Sequence, residues 1–88
     1  MKIQPEQCAE DKAFVSAVKV GGISEIRISR LEDESDYVVS VKIKRSGNTF
    51  FLATRRNPHE PRRFKRVDVA IAATHKLLGA TKFIVTID

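Results

Sequence analysis

Tyr37-Val38-Val39-Ser40-Val41-Lys42-Ile43-Lys44, Arg45-Ser46-Gly47-Asn48 and Thr49-Phe50-Phe51-Leu52-Ala53-Thr54 follow one another and read as two strands joined by a tight turn. Tyr37, Val39, Val41 and Ile43 fall on one inner face, and Ser40, Lys42 and Lys44 on the outer one, because strand side chains alternate. Ser46-Gly47-Asn48 makes the connection, since Gly and Asn tolerate the positive φ that hairpin loops require. Phe50 and Phe51 are consecutive and must point to opposite faces. One of them is then a surface aromatic unless a helix covers it.

Upstream, Ile23 to Arg30 alternates as well: Ile26 and Ile28 face one way, and Glu25, Arg27 and Ser29 the other. Glu32-Asp33-Glu34-Ser35-Asp36 is too acidic for a core element and reads as the turn between these strands. Before Gly21-Gly22, a helix is expected over about 6–19, with Phe14, Ala17 and Val18 as its apolar stripe and Cys8 or Ala13 behind them. Pro5 and Glu6 suit its first turn.

Downstream, Val67, Ala70, Ile71, Thr74 and Leu78 recur at helical spacing, with Leu77 widening the stripe and Gly79 as a cap. Phe83, Val85 and Ile87 then alternate with Lys82, Ile84 and Thr86 in a last strand. The expected fold is α+β, a single-layer, mostly antiparallel four-stranded sheet with two helices on one face, in the order α-β-β-β-α-β. A right-handed crossover through the second helix lays the last strand parallel to the third strand or, as favoured here, beyond it against the first. The second placement gives the spatial order 4-1-2-3 and covers the first strand's edge.

The 88 residues fit one domain, with 55–66 as a basic, proline-containing loop. A chain this short buries only roughly 60–65% of the surface its unfolded form exposes, so a homodimer is an economical way to cover leftover apolar area. Cys8 is the only cysteine, which excludes an intrachain disulfide and a cysteine-rich metal site and suits a reducing interior. Glu10, Asp11 and Lys12 interrupt any apolar run near the start, and no stretch approaches the about 18 apolar residues of a membrane span. A soluble, cytoplasmic protein without membrane contact is expected.

Charge is spent unevenly. Between Lys42 and Arg66 stand nine Lys and Arg against the single acid Glu60, a net +8, while the remaining residues sum to −3 and the whole to +5. Such a local field favours a polyanion, most commonly nucleic acid. Arg55, Arg56, Arg62, Arg63, Lys65 and Arg66 are the candidate phosphate contacts, since Arg gives bidentate hydrogen bonds to phosphate. Lys42 and Lys44 assist from the second strand, and Arg27 has the matching outward parity. If these share the solvent face with the loop, the positive patch crosses the sheet. Surface charge can also serve solubility alone.

Phe50 and Phe51 are candidate stacking platforms beside those cations, although five Phe and one Tyr without Trp are scarcely surplus to a core. Phe64 reads as an anchor for the loop. Glu32, Asp33, Glu34 and Asp36 lack the spacing of a calcium loop. They form either an ordinary solvated turn or a surface that meets the basic loop of a neighbouring molecule. His59 and His75 have no ligand partners at metal spacing, and no nucleophile elbow or phosphate-binding glycine loop is present. No cofactor, no metal and no enzymatic activity are expected. The alternative to nucleic-acid binding is a protein-interaction or homo-oligomerisation module whose basic loop engages an acidic partner.

Phe51-Leu52-Ala53-Thr54-Arg55-Arg56, Pro61 to Asp68 and Leu77 to Val85 together resemble small accessory proteins carried by bacterial plasmids near partition or transfer genes. The resemblance covers about half the chain and places Arg55, Arg62, Arg63 and Phe64 at recurrent positions. It implies plasmid maintenance, partition, conjugation or DNA processing, and DNA rather than RNA as the polymer. The α-β-β-β-α portion is also similar in order to a double-stranded-RNA-binding domain, from which the last strand departs. Element order alone does not establish RNA binding.

Overall fold

A computed structural model describes residues 5–19, 22–30, 36–54, 56–57, 59–79 and 82–86. A 3-10 turn, Pro5–Gln7, leads into strand β1, Cys8–Ala9, and helix α1, Asp11–Lys19. Strands β2, Ile23–Arg30, β3, Tyr37–Ile43, and β4, Thr49–Leu52, follow; helix α2, Val67–Leu78, and strand β5, Ile84–Thr86, complete the fold. The five strands form one sheet in the order β1-β4-β3-β2-β5. β3 pairs antiparallel with β2 and β4, while β1 on β4 and β5 on β2 run parallel.

This corrects the four-stranded, mostly antiparallel expectation. The sheet has five strands and is mixed, with the element order β-α-β-β-β-α-β. Cys8 and Ala9 do not extend the first helix; they pair with Phe51 and Leu52, and the Ala53 N–H donates to the Ala9 carbonyl at 2.8 Å. Tertiary pairing overrides the helical reading of this stretch, and α1 starts only at Asp11, with the Glu10 carbonyl accepting from the Ala13 and Phe14 N–H groups. The last strand does lie against β2, so the four anticipated strands keep their order 4-1-2-3 inside the larger sheet.

Register assigns the faces. Ile26 lies opposite Val41 and Val41 opposite Phe50, while Ile28 lies opposite Val39. With Leu52 these residues meet Phe14 of α1, Ala70 of α2 and Phe64 in the main core, so both helices serve one face of the sheet. α2 buries Ala70 and Thr74 fully, whereas Ile71, Leu77 and Leu78 are only half-buried against the core. Thr74 satisfies its hydroxyl by donating to the Ala70 carbonyl at 2.8 Å.

The other face carries Arg27, Ser40, Phe51 and Cys8 across one row, and Glu25, Lys42 and Thr49 across another. Ser40, expected to face water, is buried together with Val38, because β3 is central and flanked on both sides. Ser24 is the extra residue of a bulge that shifts the register between Ile23 and Glu25. Lys44 falls in the turn after β3 rather than on the strand, and Gly47 closes that turn at φ 72°.

Gly79 ends α2 at φ 68°, donating to the His75 carbonyl at 2.7 Å. Nothing lies within 4 Å of an added Cβ there, so the penalty of Gly79→Ala is backbone strain alone. A loss of about 1–2 kcal/mol is expected in thermal or urea unfolding. No helix among the described residues is long and apolar enough to cross a membrane.

Candidate nucleic-acid interface

The basic connection between β4 and α2 is more ordered than its prolines suggest. The Asn57 N–H donates to Thr54 Oγ1 at 3.0 Å and the Glu60 N–H to the Asn57 carbonyl at 3.3 Å, which turns the chain back on itself. Pro61 then bridges to Ala53, and the Arg62 N–H donates to the Leu52 carbonyl at 2.7 Å. Tyr37 and Phe64 exchange both backbone bonds at 2.7 and 2.8 Å. Residues 61–64 therefore lie along the end of the sheet, where Phe64 continues the pairing of β3 after β4 has ended. These are isolated bridges outside the named strands.

Phe64 is buried and acts as the anchor, while Arg62 and Arg63 on its N-terminal side are exposed. The Arg62 guanidinium carbon sits 4.7 Å from the centroid of the Phe64 ring. That cation–π contact holds the charge above a fixed platform, so less side-chain freedom remains to be lost when an anion binds. Arg56, Lys65 and His59 are exposed in the same connection. The positive end of α2 opens beside them, with Asp68 in its first turn.

Arg66 is paired with an acid two residues on. Its Nε and Nη2 donate to Asp68 Oδ1 and Oδ2 at 3.1 and 3.0 Å. Both side chains are well exposed, so the pair adds little to stability, yet it neutralises the Arg66 charge locally. Extended backbone at Arg66, φ −135° and ψ 142°, leads into the helix without a side-chain cap.

Lys42 and Lys44 are not part of this cluster. Tyr37 marks the loop end of β3, and Lys42 lies five residues further on, roughly 16 Å along the strand at 3.3 Å per residue. Lys42 lies directly opposite Glu25, which also accepts from Arg27 at 3.1 Å through Oε2. One carboxylate thus sits among the cations of the open sheet face. Lys42 is therefore set apart from the loop cations, and Glu25 interrupts the positive charge on the sheet face.

Neither candidate stacking ring is open. Phe50 packs half-buried against the main core, and Phe51 keeps only 6% of its surface exposed on the opposite face. Asp36 is half-buried just before β3, while Glu32, Asp33, Glu34 and Arg55 lie outside the described residues. Burial, and then the charge of Glu60, push the Cys8 thiol above its ordinary pKa and disfavour a reactive thiolate. Among the described residues no three His, Cys, Asp or Glu side chains are grouped to hold a metal.

Sequence reasoning found the cations and Phe64 but missed three features: the Arg66–Asp68 pair, Glu25 between Arg27 and Lys42, and the backbone bridges of 61–64. The i, i+2 spacing of Arg66 and Asp68 is a faint signal for the first; the others arise from register. No protein-family model matches the chain, and no curated protein matches it.

Proposed function

We propose that the chain is a non-enzymatic nucleic-acid-binding accessory protein that grips the phosphate backbone of DNA with the loop between β4 and α2. The observation that carries the reading is Arg62 and Arg63: exposed side chains on a backbone tied to Leu52, Ala53 and Tyr37. A flexible basic tail loses entropy on every contact, whereas cations on a fixed segment present a pre-formed pattern to phosphates.

Arg56 and Lys65 complete the proposed contact set, with Arg55 as its sequence neighbour. Arg66 contributes less, because Asp68 competes for its guanidinium. Lys42 and Lys44 act through the long-range field that steers a polyanion. DNA is preferred to RNA on the resemblance to plasmid accessory proteins, and the single cysteine accords with a cytoplasmic setting.

Matched lengths of duplex DNA, single-stranded DNA and RNA, compared at one salt concentration by fluorescence anisotropy, test this reading. Duplex DNA is expected to bind most tightly. RNA ranked above both DNA forms would overturn the choice of polymer. An acidic polypeptide bound more tightly than all three would transfer the loop to a protein partner.

A further inference from the structure

Arg30 stands outside the basic stretch from Lys42 to Arg66, yet strand register carries it to the same end of the sheet as the loop. It is the last residue of β2 and pairs with Tyr37, the first residue of β3. Tyr37 in turn pairs with Phe64. Arg30, Tyr37 and Phe64 therefore occupy one row across three neighbouring segments, with Arg62 and Arg63 just before Phe64 and Lys65 just after it. Paired segments lie about 4.7–4.9 Å apart, so two spacings put the Arg30 backbone roughly 10 Å from that of Phe64.

The surroundings of Arg30 also differ from those of the cations further along the sheet. Arg27 is bonded to Glu25, and Lys42 lies opposite the same acid. Arg30 is exposed and borders the open-face groove, and among the described residues no carboxylate forms an ion pair with it. Its backbone is fixed, because β2 is paired with β3 through Arg30 itself and with β5 through the adjacent Ser29. A cation on such a support gives up less freedom on meeting an anion than one on a loose chain.

We propose that Arg30 is a further phosphate contact of the interface, so that nucleic acid is gripped from two elements, the loop on one side of Tyr37 and the end of β2 on the other. This rests on the reading of the chain as a phosphate-backbone binder. The guanidinium fork takes a phosphate bidentately and needs no base edge, so the contact adds affinity without sequence preference. It is a contact beyond those of the loop and steepens the salt dependence beyond the loop's own share. The two elements meet only through the pairing of Tyr37 with Arg30 and Phe64, which makes the grip a property of the folded sheet.

Salt titrations of duplex-DNA binding by the wild type, Arg30→Ala, Arg30→Lys and Arg45→Ala test the assignment. Arg45 is exposed in the turn at the other end of β3, and its loss changes the net charge by the same amount. Arg30→Ala is expected to make the log–log slope shallower by about 0.9, the share of one phosphate contact. Arg45→Ala keeps the wild-type slope because it removes a charge away from the contact, and Arg30→Lys keeps it because the charge stays in place. An unchanged slope in Arg30→Ala overturns the proposal, and is the result expected if Glu32, Asp33, Glu34 and Asp36, which follow in the chain, cancel this charge. Equal losses in Arg30→Ala and Arg45→Ala overturn it as an effect of net charge, and equal losses in Arg30→Ala and Arg30→Lys overturn it as a structural effect. A steep wild-type slope that Arg30→Ala leaves untouched spares the loop reading, whereas a wild type that does not bind duplex DNA removes both. If Arg30→Ala fails to fold by circular dichroism, amide shifts of the wild type on titration with a short duplex decide. Shifts at Ser29 and Arg30 together with Arg62 and Arg63 support the two-element grip, and shifts confined to the loop overturn it.

Discussion

Leu52→Ala is expected to lower unfolding free energy by about 2–5 kcal/mol, and Ile28→Ala by a similar amount. Leu52 is 1% exposed and Ile28 fully buried, and both belong to the core between the sheet and the two helices. Each truncation removes transfer energy and leaves a cavity that central strands cannot collapse to fill. An 88-residue chain has a total stability of only roughly 4–13 kcal/mol, so either change removes a large share. Ile71→Ala and Leu78→Ala, at half-buried positions, should cost less than Leu52→Ala, and the exposed Val69→Ala should stay within about 0.5 kcal/mol. Urea unfolding midpoints give all five values. Equal losses at Leu52 and Val69 would mean that the core has been assigned to the wrong face.

Arg62→Ala with Arg63→Ala is expected to reduce the slope of log affinity against log salt by roughly 2, since each lost phosphate contact removes about 0.9. The fold should be spared, because the bonds that fix this segment are made by backbone atoms of Leu52, Arg62, Tyr37 and Phe64. Losing the Arg62 contact with the Phe64 ring costs about 0.5–1 kcal/mol at an exposed site, too little to unfold the domain. Weakening should be similar across DNA sequences. A loss confined to particular sequences would make these arginines base readers instead. Unchanged affinity and slope in a folded double variant would remove them from the contact set.

Periodic elements were legible in the sequence, and elements defined only by their neighbours were not. The hairpin of β3 and β4 and the stripe of α2 announce themselves through alternation and helical spacing. Strand β1 has two residues, too few for any period, and exists because β4 offers Cys8 and Ala9 a parallel partner. Ser40 has the outward parity of a solvated residue and is nevertheless buried, since a central strand is enclosed from both flanks. The basic loop was visible as composition, but its order was hidden. Pro61 to Phe64 shows no strand pattern, and only the vacant pairing positions on Ala53 and Tyr37 draw it onto the sheet. In the same way the sequence lists cations without their counter-charges. Asp68 beside Arg66 and Glu25 opposite Lys42 offset positive charge that the sequence shows as bare.

The most direct measurement of backbone binding is the affinity of the wild-type chain for duplex DNA over a series of salt concentrations. Contacts from Arg56, Arg62, Arg63 and Lys65 predict a log–log slope near −3.6, about −0.9 for each of the four phosphates neutralised. Binding that is absent even at low salt, or whose slope is close to zero, would contradict the proposed function.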